Sequence, residues 1–290
     1  MRKIVLSFAL FISISFQISA QWFWQNPLPQ GNGFEDLKFI SPLVGWAVGS
    51  SGTILKTTDG GESWIVQSSN TDIRLYKVSL IDEDHAIVVG EKGKIFRTAD
   101  GGLNWSIWSI ENENSLYGVS FSDLNNGIVV GEFGTMLKTT NGGQGWISLS
   151  TPISYDFYDV KMIDSNIVYV IGQLGTILKT TNGGLNWTEL LSGSTTTLVD
   201  ASFLDENNGT VIGFGTILKT SDGGQNWVNQ PSSVSTHLFG IYFTDSNNGT
   251  IVGWNGTILK TTNGGQNWIS QSSGTNKALT SVYFRDEETE

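Results

Sequence analysis

Tryptophans 64, 105, 146, 187, 227 and 268 each close a stretch of the same shape, as in GTILKTTDGGESW at 52–64 and GTILKTTNGGQNW at 256–268. Their spacings are 41, 41, 41, 40 and 41 residues. The one short step has a local cause, because Ile212-Gly213-Phe214-Gly215-Thr216 lacks one residue present in Val252-Gly253-Trp254-Asn255-Gly256-Thr257. Six copies at so constant a period restrict the chain to a repeat architecture, in which each unit buries its faces only against its neighbours.

Each unit reads as four short strands. Strand A alternates apolar positions, as at Tyr117, Val119 and Phe121. An Asp-rich turn follows (DLNNG at 123–127, DENNG at 205–209, DSNNG at 245–249), then strand B, a GIVVG or GTIVG segment. A tight glycine turn leads into strand C, TILKT, and the DGG or NGG turn delivers the tryptophan that opens strand D. Four strands per period predict an all-β fold, a β-propeller of four-stranded antiparallel blades, over residues 21–290. The ends predict an incomplete seventh repeat at 279–290, with Leu279–Phe284 as its strand A and Trp22-Phe23-Trp24-Gln25 resembling a strand D. A six-bladed ring with spare ends is the alternative.

The segment Thr57-Thr58-Asp59-Gly60-Gly61-Glu62-Ser63-Trp64 resembles the Asp-box, or bacterial neuraminidase repeat. The longer unit, Val119 to Gly127, Val130-Gly131 and Gly134 to Thr139, is similar to the photosystem II assembly and stability factor family of propellers. The resemblance spans about 34–286 and implies the propeller fold. Asp-box propellers include sialidases, xyloglucanases, sortilin-type receptors and proteins without an assigned activity, so it leaves function open. The box position itself alternates: Asp59, Asp100 and Asp222 keep the acid, whereas Asn141, Asn182 and Asn263 replace it. Either side chain can hold a turn through backbone N–H groups, but a catalytic carboxylate could not be exchanged for an amide. The box is therefore read as architecture.

Residues 1–20 carry Arg2 and Lys3, an apolar run from Ile4 to Phe16 and a Ser19-Ala20 end, the pattern of a signal peptide cleaved before Gln21. This predicts a secreted, periplasmic or cell-surface protein with no integral membrane span after cleavage. Cleavage would shift the formal charge from −11 to −13, which disfavours nucleic acid as a partner. With no cysteine, disulfides, thiolate catalysis and cysteine metal sites are absent from the sequence. No cofactor and no metal is expected.

Candidate chemistry is sparse. A sialidase clamps its substrate carboxylate with three convergent arginines, yet after residue 20 only Arg74, Arg97 and Arg285 remain, at different depths of different repeats. Gly90-Glu91-Lys92-Gly93-Lys94 lacks the spacing of a phosphate loop. The DxNNG turns lack the further oxygens of a calcium loop and read as Asx hairpin turns. Asp36, Asp159 and Asp200 occupy equivalent places in strand A and border the predicted channel, so they are candidates for a glycosidase pair or for a polar channel lining.

Comparison among the repeats separates scaffold from candidate surface. The A–B and C–D turns, which share one face of a propeller, are nearly identical, whereas the B–C tips and D–A loops of the opposite face vary. Variable loops on a rigid scaffold are where binding resides. Glu132, Phe133, Phe214, Trp254 and Asn255 at the tips are the ligand-binding candidates, together with the three channel aspartates. The reading is a non-enzymatic propeller that binds a protein or carbohydrate ligand through this face. A polysaccharide-cleaving propeller is the alternative.

Overall fold

The computed structural model describes residues 31–284. The expected leader, Trp22–Gln25, Arg285 and Asp286 lie outside the described residues. Among the described residues there are six four-stranded antiparallel sheets, each taking its strands in chain order. Their innermost strands are Phe34–Phe39, Leu75–Leu80, Leu116–Phe121, Phe157–Met162, Leu198–Phe203 and Leu238–Phe243. These strands pack side by side in sequence order around a central channel, so the protein is a β-propeller of six complete blades. Four B–C tips carry a single 3-10 turn, such as Glu132–Gly134 and Trp254–Gly256. No helix among the described residues is long and apolar enough to cross a membrane.

The box is built as a self-contained turn. In blade 1, Thr57 Oγ1 donates to Asp59 Oδ1 at 2.7 Å and accepts the Gly61 N–H at 2.8 Å, while Asp59 Oδ1 accepts the Ser63 N–H at 2.9 Å. In blade 3, Asn141 Oδ1 takes the same two bonds, from Thr139 Oγ1 at 2.8 Å and the Gly145 N–H at 3.0 Å. Only one oxygen is needed to hold the turn, which is why aspartate and asparagine alternate. The second glycine of the box faces the preceding blade. Gly102 has φ +90°, and a Cβ there would run into the Trp46 ring.

Neighbouring blades are joined through apolar faces and, from blade 1 through to blade 6, by one strand C cation at each of the five successive interfaces. Buried clusters such as Trp46, Val48, Ile54, Leu75 and Phe96 straddle blades 1 and 2, with Trp105 packed against them. The basic residue of strand C donates to a box carbonyl of the next blade: Lys56 to Gly101, Arg97 to Gly142, Lys138 to Gly183 and Lys179 to Gly223, at 2.7–3.0 Å. Lys219 does the same to Gly264.

Segment 279–284 sits between blades 6 and 1. Leu279 donates its N–H to Gly253 O at 3.0 Å, and Val282 packs on Val252 and Ile258. On the other side Thr280 Oγ1 donates to Phe34 O at 2.9 Å, and Ser281 Oγ donates to Asp36 Oδ1 at 2.9 Å. The segment lies between the inner strands of blades 6 and 1, but the strand A expected at Leu279–Phe284 is not formed. The physical reason is that no strand B stands behind it among the described residues.

Candidate functional site

Every inner strand carries a β-bulge at the same place. In blade 3 the pairing with strand B jumps from Gly118 to Leu116, which leaves Tyr117 unpaired, and the same jump frees Glu35, Tyr76, Tyr158, Val199 and Phe239. A bulge re-aims its extra residue. Here these six side chains, with Thr280 of segment 279–284, line a cavity of about 350 Å³ at the mouth of the channel. Tyr117 is thus turned away from the blade-packing face that its alternation with Val119 and Phe121 suggests.

The rim is aromatic and braced. Tyr76 and Tyr117 meet edge-on at 5.0 Å, and Tyr117 stacks on Tyr158 at 5.3 Å. Glu132 accepts the Tyr117 hydroxyl at 2.8 Å and the Ser115 N–H at 2.8 Å, so this tip residue orients the ring rather than facing solvent alone. Burial alone would raise the Glu132 carboxyl, but these two hydrogen bonds outweigh it and hold the group below its ordinary value. Glu91 plays the same part for Tyr76 at 3.4 Å. Burial, then the Glu91 charge, pushes the Tyr76 phenol up to about 12. Across the mouth Arg74 pairs with Glu35 at 2.7 Å.

Below the rim lie the channel aspartates. Asp36 Oδ2 accepts the N–H of Val78 at 3.2 Å, Asp159 Oδ2 that of Ala201 at 3.1 Å, and Asp200 Oδ2 that of Ile241 at 2.9 Å. Each donor belongs to strand A of the following blade, so the column pins one blade to the next. Ser281 occupies the same column and accepts the Leu37 N–H at 3.4 Å, carrying the pattern across the junction of segment 279–284 with blade 1. Lys77 and Lys161 each pair with both Asp159 and Asp200, at 2.9–3.7 Å. Burial alone would raise the Asp200 carboxyl, but Lys161, Lys77 and Lys38 hold it well below the carboxylate range. Burial also works against the charge on Lys77, and there Asp159 and Asp200 win and raise it. The expected solvated lining is instead a buried ion cluster, because each carboxylate is drawn to the neighbouring backbone.

The other tip residues divide into two groups. Phe214 and Trp254 come together over His237, with ring separations of 4.4 and 5.2 Å, and His237 lies 6.1 Å from the mouth residue Phe239. Asn255 sits in the same tip at φ +55°. Phe133 stands apart at φ +53°, its N–H held by Asp156 at 2.9 Å, and is 69% exposed. Of the arginines, Arg74 stands at the mouth and Arg97 in a strand C stitch on the opposite face, so these two do not converge.

With this geometry in place, the chain can be set beside known proteins. A family model described as photosynthesis system II assembly factor YCF48 matches residues 65–197. A solved structure of YCF48 from Cyanidioschyzon merolae superimposes with a TM-score of 0.76 at 22% identity, covering 92% of this chain and 94% of that one. A second, of YCF48 bound to D1 peptide, gives 0.73 at 20% identity, covering 89% and 87%. The chain is a BNR-type β-propeller resembling the photosystem II assembly factor. At these identities the structural likeness is one of fold. A GH74 xyloglucanase from Xanthomonas campestris gives 0.67 at 10% identity and covers 87% of this chain but 47% of that one. A search of the curated proteins returns no match.

Sequence reasoning missed the mouth residues Tyr76, Tyr117, Tyr158 and Phe239 as site residues. The signal was available as a column of Tyr, Tyr, Tyr, Val and Phe one place before the aspartate column. Its meaning depends on the bulge, which no local pattern announces.

Proposed function

We propose that the protein binds a segment of another protein at the channel mouth. The observation that carries this is the braced aromatic rim of Tyr76, Tyr117, Tyr158 and Phe239, continued outward by His237, Phe214 and Trp254. Rigid aromatic rings around a concave opening offer large contact area at little entropic cost, as hot spots do. A cavity of about 350 Å³ suits one or two side chains of a peptide better than a folded surface. The peptide seen on one solved relative supports the same class of ligand. The signal-peptide pattern of residues 1–20 is the ground for proposing that this capture takes place outside the cytoplasm. Glycan cleavage gains no support from Asp36, Asp159 and Asp200, since each already holds a backbone N–H and the last two are lysine-paired.

The test is to select random displayed peptides on the full chain and measure the winners by calorimetry. Tyr117→Ala combined with Phe239→Ala should weaken them by about tenfold or more, whereas Leu124→Ala on the opposite face should not. Selected peptides that bind the double variant as tightly as the wild type would overturn the assignment.

A further inference from the structure

The strand B residue paired with the basic residue of strand C is large in four blades, Trp46, Ile87, Ile128 and Tyr169, and threonine in the other two, Thr210 in blade 5 and Thr250 in blade 6. Tyr169 shows what surrounds that position. Its ring stacks on Phe203 of the next blade at 4.1 Å and 20°, with Lys179 Nζ 5.0 Å from the ring centre. Its hydroxyl donates to Glu206 O at 2.8 Å and to Gly223 O at 3.0 Å. One blade further on, every partner recurs. Phe243 stands for Phe203, Lys219 for Lys179, Ser246 for Glu206 and Gly264 for Gly223, and Lys219 binds Gly264 O as Lys179 binds Gly223 O. Only the phenol ring is missing.

Its space is open. A cavity of about 280 Å³ is lined by Thr210, Phe243, Lys219, Ser202 and Ser246. Thr210 is 4% exposed. About 150 Å³ is enough to hold a benzene ring. The cavity lies beside the A–B turn of blade 5, on the face away from the channel mouth, so it is independent of peptide capture there.

We infer that this cavity between blades 5 and 6 is a binding site for a phenolic ring. The ring stacks on Phe243 and the hydroxyl donates to Ser246 O and Gly264 O, reproducing the contacts of Tyr169 one blade earlier. The shared chemistry has two sources, a free phenol or the tyrosine side chain of a partner.

An NMR titration of the full chain with phenol tests it, followed at the amides of Thr210, Phe243 and Gly264. Saturable shifts there are expected, with toluene, which lacks the hydroxyl, binding about tenfold more weakly. Thr210→Tyr fills the cavity from within, so it should abolish the shifts and raise Tm by about 2 °C or more. Thr210→Val, which keeps the space, should retain them, and Phe243→Leu, which removes the platform, should weaken them. N-acetyltyrosine amide distinguishes the sources: shifts by it as well assign a partner's tyrosine, and shifts by phenol alone assign a free phenol. Absence of saturable shifts in blades 5 and 6, or undiminished binding to folded Thr210→Tyr, overturns the inference.

Discussion

Replacing Asp200 by alanine should remove one of the strongest joints of the ring. Its buried carboxylate accepts the Ile241 N–H at 2.9 Å and pairs with Lys77 at 3.2 Å and Lys161 at 3.3 Å. The alanine leaves that N–H without an acceptor, which costs about 1–3 kcal/mol. It also leaves three lysines, 38, 77 and 161, facing only Asp36 and Asp159. Breaking a buried pair outright costs about 3–5 kcal/mol, but here both lysines keep Asp159, at 3.7 and 2.9 Å. A total near 4 kcal/mol follows, against a whole-domain stability of about 5–15 kcal/mol. Asp200→Asn keeps an acceptor for Ile241 and should lose about half as much. Adding Lys77→Met to Asp200→Asn restores charge balance and should recover about 1 kcal/mol or more, whereas Lys77→Met alone destabilises. Urea unfolding at neutral pH measures each variant through its midpoint. A loss under about 1 kcal/mol for Asp200→Ala, or no coupling between the two sites, would refute the reasoning.

The box carboxyls carry a pH signature. Hydrogen bonds from the Ser63, Asn104 and Asn226 side chains, then their backbones, hold Asp59, Asp100 and Asp222 at about 2. A depressed carboxyl contributes stability above its unfolded value and loses it as pH falls through the folded one, here from about pH 4 to about pH 2. Asp59→Asn with Asp100→Asn and Asp222→Asn should therefore flatten the acid limb of the stability profile, and an unchanged slope sinks the idea. Lys138→Met, which removes the bond to Gly183 O, should cost about 1–2 kcal/mol in chemical denaturation. Lys260→Met should stay within about 0.5 kcal/mol, since Lys260 is exposed and meets no following box among the described residues. Gly102→Ala should cost about 2 kcal/mol or more, read by the same method, because it forces φ +90° on alanine and drives a methyl into Trp46.

The sequence by itself determined the six complete repeats, the four-strand order, the turn chemistry and the exchange of aspartate for asparagine in the box. All of these rest on contacts within a few residues, such as Thr57 to Asp59 and Gly61, which local pattern records directly. It also separated the constant face from the variable one, since Gly101 meets Asp84 on the first and Gly134 meets Tyr155 on the second. Tertiary structure alone decided where strand A points its side chains. Alternation puts Tyr117 on the face of Val119, and a bulge, visible only in the register against strand B, turns it into the channel mouth. The aspartate column likewise looked like a free lining because its partners are not local. Val78, Ala201 and Ile241 lie one whole repeat further along the chain, and only closing blade against blade brings their N–H groups to the carboxylates.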